Sequence, residues 1–177
     1  MKYPEEYVAF LFHFHVTRDY FECHEILEEY WKEIDPKNRQ SHWVGLILLA
    51  VSCYHHRRMN FSGAERTLHK SVQILSRETN QKHLSTLDLD TNRLNDMLLK
   101  QLVCIKNKED YKSMNLPINS ANLLAACKTY SNENGVQWGN QVPFSVDEEI
   151  LHRHLLRDRS NVIEERLRQL KIKGRNV

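Results

Sequence analysis

The chain has 177 residues, 41% of them hydrophobic and 27% charged, which is enough apolar material for one well-buried core and too much for wholesale disorder. Its 25 basic and 23 acidic residues leave a formal charge of +2, so the molecule as a whole has no strong field to draw nucleic acid or an anionic membrane. No stretch approaches the roughly 20 uninterrupted apolar residues of a membrane span, and the opening Met-Lys-Tyr-Pro-Glu-Glu lacks the regions of a signal peptide. These features predict a soluble cytoplasmic protein.

Five glycines and four prolines are few for this length, and the segments between them repeat at helical spacing. The predicted fold is all-α: a compact array of four to five short antiparallel helices with a C-terminal helical extension. Residues 1–106 form the helical domain, and residues 107–177 a less regular segment plus a long basic helix.

Pro4 suits the first turn of a helix, where its missing N–H costs nothing, and Tyr7, Phe10, Leu11 and Phe14 follow on one face. Asp19 and Glu22 make a capping box for a second helix that ends near Asp35-Pro36. On that helix Tyr20, Leu27, Trp31 and Ile34 share an apolar arc, and His24 and Glu28 lie at its edge. A third helix, about Ser41 to Arg57, is apolar nearly all round and reads as central. Ser62 and Glu65 suggest a cap for a fourth, with Ala64, Leu68, Val72 and Leu75 down one face. A polar stretch follows to Asp90, which caps a fifth helix through Leu94, Leu98, Leu102 and Ile105. Beyond Asn107 the pattern weakens, with a helix from Ala121 to Tyr130 and a last one capped by Ser145 and Glu148.

The four cysteines, Cys23, Cys53, Cys104 and Cys127, form no Cys-x-x-Cys pair, which argues against a zinc ribbon or a thioredoxin-like redox site. Histidine and glutamate carry the chemistry instead. A stripe of the third helix reads His42, Gly45, Leu49, Ser52 and His56, and if it faces the second helix it meets His24, Glu25 and Glu28 in a partly buried polar cluster roofed by Trp31. Imidazole and carboxylate together can hold a divalent transition metal, with His24, Glu28 and His56 as ligand candidates, or shift pKa values for acid–base work. The plainer account is a hydrogen-bond network in which Glu25 and Glu28 hold His24 and specify one packing. Neither a zincin motif nor the paired Glu-x-x-His of di-iron helices is present.

From Ile150 to Val177 eight basic residues stand against three acidic ones, a net +5 that can track phosphates. Glu164-Glu165 interrupts the run and no aromatic platform accompanies it, which disfavours nucleic acid and favours an arm for self-association or a protein partner.

The chain resembles the bacterial and archaeal domain-of-unknown-function family 309. The likeness lies in Phe21-Glu-Cys-His24-Glu25-x-x-Glu28-x-x-Trp31, Gly45-Leu-Ile-x-Leu-Ala50, Tyr54-His55 and Asn60-x-x-Gly63-Ala64, and covers roughly residues 5 to 80. It implies a small helical fold sharing His24, Glu25, Glu28 and Trp31, and it implies no activity. Many members carry Gln where this chain has Leu48, so a site that includes that amide is altered here. The C-terminal extension looks like that of a subset of Gram-positive members. The reading on these grounds is a helical binding or scaffolding module. The alternative is a metal-dependent or acid–base, hydrolase-like enzyme using His24, Glu25 and Glu28, and a third is nucleic-acid binding through the basic C-terminal helix.

Overall fold

The computed structural model describes residues 3–139; the expected helix from Ser145 and the basic segment to Val177 lie outside the described residues. Among the described residues seven α-helices follow one another: α1 Glu5–Phe12, α2 Tyr20–Ile34, α3 His42–Arg57, α4 Phe61–Leu75, α5 Glu78–Thr86, α6 Thr91–Lys106 and α7 Ala121–Glu133. The only β pairing among them is an isolated antiparallel bridge between Leu89 and Ile118, so the fold is all-α.

The capping chemistry is local and follows the sequence. Asp19 accepts from Glu22 N–H, Ser41 from Trp43 N–H, Asp90 from Arg93 N–H and Ser120 from both Asn122 and Leu123 N–H. At α4 the cap is Asn60 rather than Ser62: its side chain accepts from Gly63 N–H at 3.0 Å, which starts the helix two residues earlier.

Two further departures have physical causes. The polar stretch before Asp90 contains α5, whose only fully apolar anchor is Leu84; buried Asn80 holds it down by donating to the carbonyls of Gln40 and Ile74. Between α1 and α2 the chain makes a π-turn, His13–Thr17, and then a left-handed residue, Arg18, at φ 56°. Arg18 is buried, and its guanidinium donates to the carbonyls of Phe14 and Met114 and to Asn115 Oδ1. The α1–α2 corner is thereby fastened to a segment about a hundred residues further on.

The core centres on α3, which packs against α2 on one side and α4 on the other. Leu46, Leu49, Ala50 and Cys53 of α3 meet Tyr20, Cys23 and Leu27 of α2 and Ala64, Leu68 and Leu75 of α4 in one buried cluster. α1 is buried from Tyr7 to Phe12 because it lies between α2 and α7, so it has no polar face along that run. The packing therefore continues past residue 106: α7 and the 107–120 segment belong to the same compact unit as the helices before them. No helix among the described residues is long and apolar enough to cross a membrane.

Candidate functional site

α2 turns Tyr20, Cys23 and Leu27 inward, each with no accessible surface. One step round the helix, successive turns carry Phe21, His24, Glu28 and Lys32, the i, i+3 and i+4 spacing that stacks side chains on one face. His24 Nε2 lies 2.9 Å from Glu28 Oε2, and its Nδ1 lies 3.3 Å from Glu25 Oε1. Lys32 Nζ holds the other Glu28 oxygen at 2.9 Å. The side chains of His24, Glu25 and Glu28 are 26%, 30% and 33% exposed, a partly buried line on the surface of α2. The hydrogen bond to His24, opposed by partial burial and aided by Lys32, holds the Glu28 carboxyl down to about 2.

All of the polar partners of His24 and Glu28 lie on α2 itself. Among the described residues, His24 and Glu28 do not tie α2 to another helix. Aromatic rings adjoin the line: the His24 ring sits 5.9 Å from the Phe21 ring, and Phe21 sits 6.2 Å from buried Tyr54 of α3, over which the Arg58 guanidinium lies. Phe21, Lys32 and Tyr54 were not among the residues expected from the sequence, although Phe21 and Lys32 stand one turn before His24 and one turn after Glu28.

The remaining expected residues are elsewhere. Trp31 donates from Nε1 to the Asn38 carbonyl at 3.2 Å and so braces the α2–α3 loop instead of roofing a pocket. Ile34, expected in the apolar arc, is 47% exposed. The polar stripe of α3 faces α4, α5 and α6 and not α2. Ser52 donates to the Ala64 carbonyl, and Ser71 donates to the carbonyl of Gly45. His56 is buried, taking a hydrogen bond from the Gln101 amide on Nδ1 and giving one from Nε2 to the Glu109 carbonyl, both at 2.8 Å. With both nitrogens committed, it has no lone pair left for a metal, and it does not join His24. His42 stacks on His83, ring centroids 5.0 Å apart, beside a cavity of about 380 Å³ that Asp35 and Arg77 also line. Burial, then the neighbouring His83, opposed by Asp35, lowers its pKa to about 4.

A larger open cavity of about 770 Å³, lined by His15, Arg93, Lys100, Leu116, Ser120 and Trp138, contains none of the expected site residues. His15 accepts from Leu116 N–H through Nε2 at 3.2 Å and stacks on Trp138; burial, then Arg18, drives its pKa to about 3. Among the described residues, His24, Glu25 and Glu28 are the one group of His, Cys, Asp or Glu side chains close enough together to share a metal ion.

The profile of the domain of unknown function DUF309 matches residues 7–67, which span α1 to the middle of α4 and include the whole His24 line. The uncharacterized protein YpuF of Bacillus subtilis (strain 168) is 44% identical over 168 residues, covering 95% of each chain. The chain belongs to the DUF309 family. Membership agrees with the helical fold and brings no activity with it, because both matches are to proteins without an assigned function. The YpuF similarity also runs well beyond the family segment. No solved structure matches the chain.

Proposed function

We propose that the chain is a helical binding module and that it binds through the partly exposed α2 stripe of His24, Glu25 and Glu28. One observation carries this reading. The polar contacts of His24 and Glu28 are confined to α2, so these residues do little to hold the helices together. An exposed i, i+4 pair contributes about 0.3–0.5 kcal/mol to its helix, which is a small return for two polar side chains set beside an apolar arc. Phe21, and Arg58 lying over the buried Tyr54 ring, extend the surface with an aromatic face and a cation, residue types that dominate binding interfaces. Cysteines kept as free thiols suit a reducing cytoplasm.

The test is differential co-purification. Tagged wild type and the His24→Ala/Glu28→Ala variant, shown to melt alike, are expressed in the native cell, and their bound proteins are compared by quantitative mass spectrometry. A protein held by the wild type and lost from the variant is expected. Identical sets from both would overturn the reading.

A further inference from the structure

We infer that His24 Nε2 and Glu28 Oε2 form a chelate for a divalent first-row transition ion such as zinc, and that Glu25 is the positioning residue that orients the imidazole for it. The inference rests on the α2 stripe being a binding surface and names what that surface binds first.

The division of atoms is the starting point. A neutral imidazole has one N–H and one lone pair. If Nδ1–H donates to Glu25, at 3.3 Å, the Nε2 lone pair points at a carboxylate oxygen 2.9 Å away. In the other neutral tautomer Nε2–H donates to Glu28 and the Nδ1 lone pair faces Glu25 instead, so with no ion one of the two carboxylates always meets a lone pair unless the ring takes a second proton. A metal ion on Nε2 and Glu28 Oε2 satisfies both contacts at once.

The geometry suits an ion. With bond lengths of about 2.0–2.1 Å, an atom equidistant from groups 2.9 Å apart subtends about 90° at the metal, the angle of neighbouring positions in an octahedral or expanded shell. Both donors are on one helix four residues apart, so the bite is set by the backbone. A carboxylate on the far nitrogen of a ligating histidine is the usual support for that role, since it fixes the tautomer and raises the basicity of the nitrogen that binds. Glu25 stands there. The two Glu28 oxygens are also divided, Oε1 to Lys32 and Oε2 to His24, which leaves the second free to ligate.

One nitrogen and one oxygen donor favour zinc, nickel, cobalt or copper over magnesium or calcium, which prefer oxygen alone. Two protein donors leave several coordination positions to water or to a donor from a partner. That openness is what a binding surface requires and what a closed structural zinc site lacks.

Lys32 gives the inference its sharpest test. Its ammonium, 2.9 Å from Glu28 Oε1, sits close enough to repel the ion, while its own side chain is 58% exposed. Zinc chloride is titrated calorimetrically into the full, untagged chain and into His24→Ala, Glu28→Gln, Glu25→Gln and Lys32→Ala, and histidine ring signals are followed by NMR because the chain has ten histidines. The wild type should bind with its His24 ring signals shifting over the first equivalent. His24→Ala and Glu28→Gln should weaken that event at least tenfold. Glu25→Gln should weaken it about 10- to 100-fold, the range for lost outer-shell support. Lys32→Ala should tighten it several-fold, a gain that misfolding cannot produce. Coincident wild-type and His24→Ala isotherms, or His24 ring signals that stay still at one equivalent, would overturn the chelate. A Glu25→Gln isotherm equal to the wild type would overturn the role of Glu25. Failure of zinc in both wild type and Lys32→Ala, with a partner still lost from His24→Ala/Glu28→Ala, would reject the ion and leave the binding surface standing.

Discussion

Gly45 of α3 and Leu75 of α4 meet where no β-carbon fits. A Cβ placed on Gly45 would stand 2.3 Å from Leu75 Cδ2 and 2.6 Å from its Cγ, and Ser71 donates to the Gly45 carbonyl at 2.7 Å one turn away. The helix contact that centres the fold is therefore backbone against side chain. Gly45→Ala should lose about 1–3 kcal/mol, the usual cost of overpacking a tight core. Urea unfolding of the two proteins at equal m-value measures it. A variant as stable as the wild type would mean that Leu75, itself buried, can move aside without loss.

His24 and His56 should respond to the same change by very different amounts. His24 is a quarter exposed and bonded only along its own helix, so His24→Ala should cost under about 1 kcal/mol, or roughly 2–4 °C in melting temperature for a chain of this size. His56 is buried and links α3 to α6 and to the Glu109 carbonyl. His56→Ala removes a ring from a packed site and strands two partners, at about 1–3 kcal/mol for the unmet groups alone. Thermal melts of the metal-free proteins decide. If His24→Ala fell as far as His56→Ala, the α2 stripe would be structural and the binding reading would fail.

The contrast between these two histidines marks what the sequence can carry. His24, Glu25 and Glu28 come together because helical spacing alone puts them on adjacent turns, and that spacing is legible in one dimension. The stripe of His42, Ser52 and His56 is equally regular, yet periodicity defines a face and not the helix that covers it. α4 covers its middle, where Gly45 and Ser71 admit a close approach, and α5 and α6 cover its ends. α5 escapes the pattern since it is anchored by Leu84 and an asparagine rather than by an apolar stripe. The π-turn at His13–Thr17 interrupts a helix without a proline or glycine to announce it, and its cause, the long reach of Arg18 to Met114 and Asn115, is visible only in three dimensions.

That reach has a measurable worth. The Arg18 guanidinium is buried and bonds the Phe14 carbonyl within the α1–α2 corner to the Met114 carbonyl and Asn115 Oδ1 of the distant segment. Arg57 adds to the joint by donating to the Arg18 carbonyl at 2.7 Å. Arg18→Met keeps much of the side-chain volume and removes the donors. Since a hydrogen bond from a charged group contributes about 1.5–3 kcal/mol, the loss should be 2 kcal/mol or more. Hydrogen exchange should locate it: amides of residues 111–118 should exchange faster in the variant, whereas those of α3 should open only with global unfolding. Equal protection of 111–118 in both proteins would show that the segment is held by other contacts.

Acid should unfold the protein in a window set by two histidines. The His15 pKa is lowered to about 3, by burial first and then by Arg18, and that of His42 to about 4, by burial first and then by His83, with Asp35 opposing. In the unfolded chain both titrate near 6.5. Between those values the unfolded state binds more protons than the folded one, so stability rises with pH there and falls as the solution is acidified. The contribution is fully present above about pH 6.5 and is lost progressively toward pH 3–4. For His15 the geometry agrees in sign, because a protonated ring gives up the acceptor that Leu116 N–H uses. Glutamine at position 15 offers an oxygen to that N–H and does not titrate. His15→Gln should therefore flatten the fall in stability between pH 6.5 and 4, whatever its effect at pH 7. Urea unfolding at half-unit pH steps reads the slope directly. An unchanged slope in the variant would mean that His15 takes up its proton in the folded protein as readily as in the unfolded chain, and that the acid response belongs to His42 or to the carboxylates.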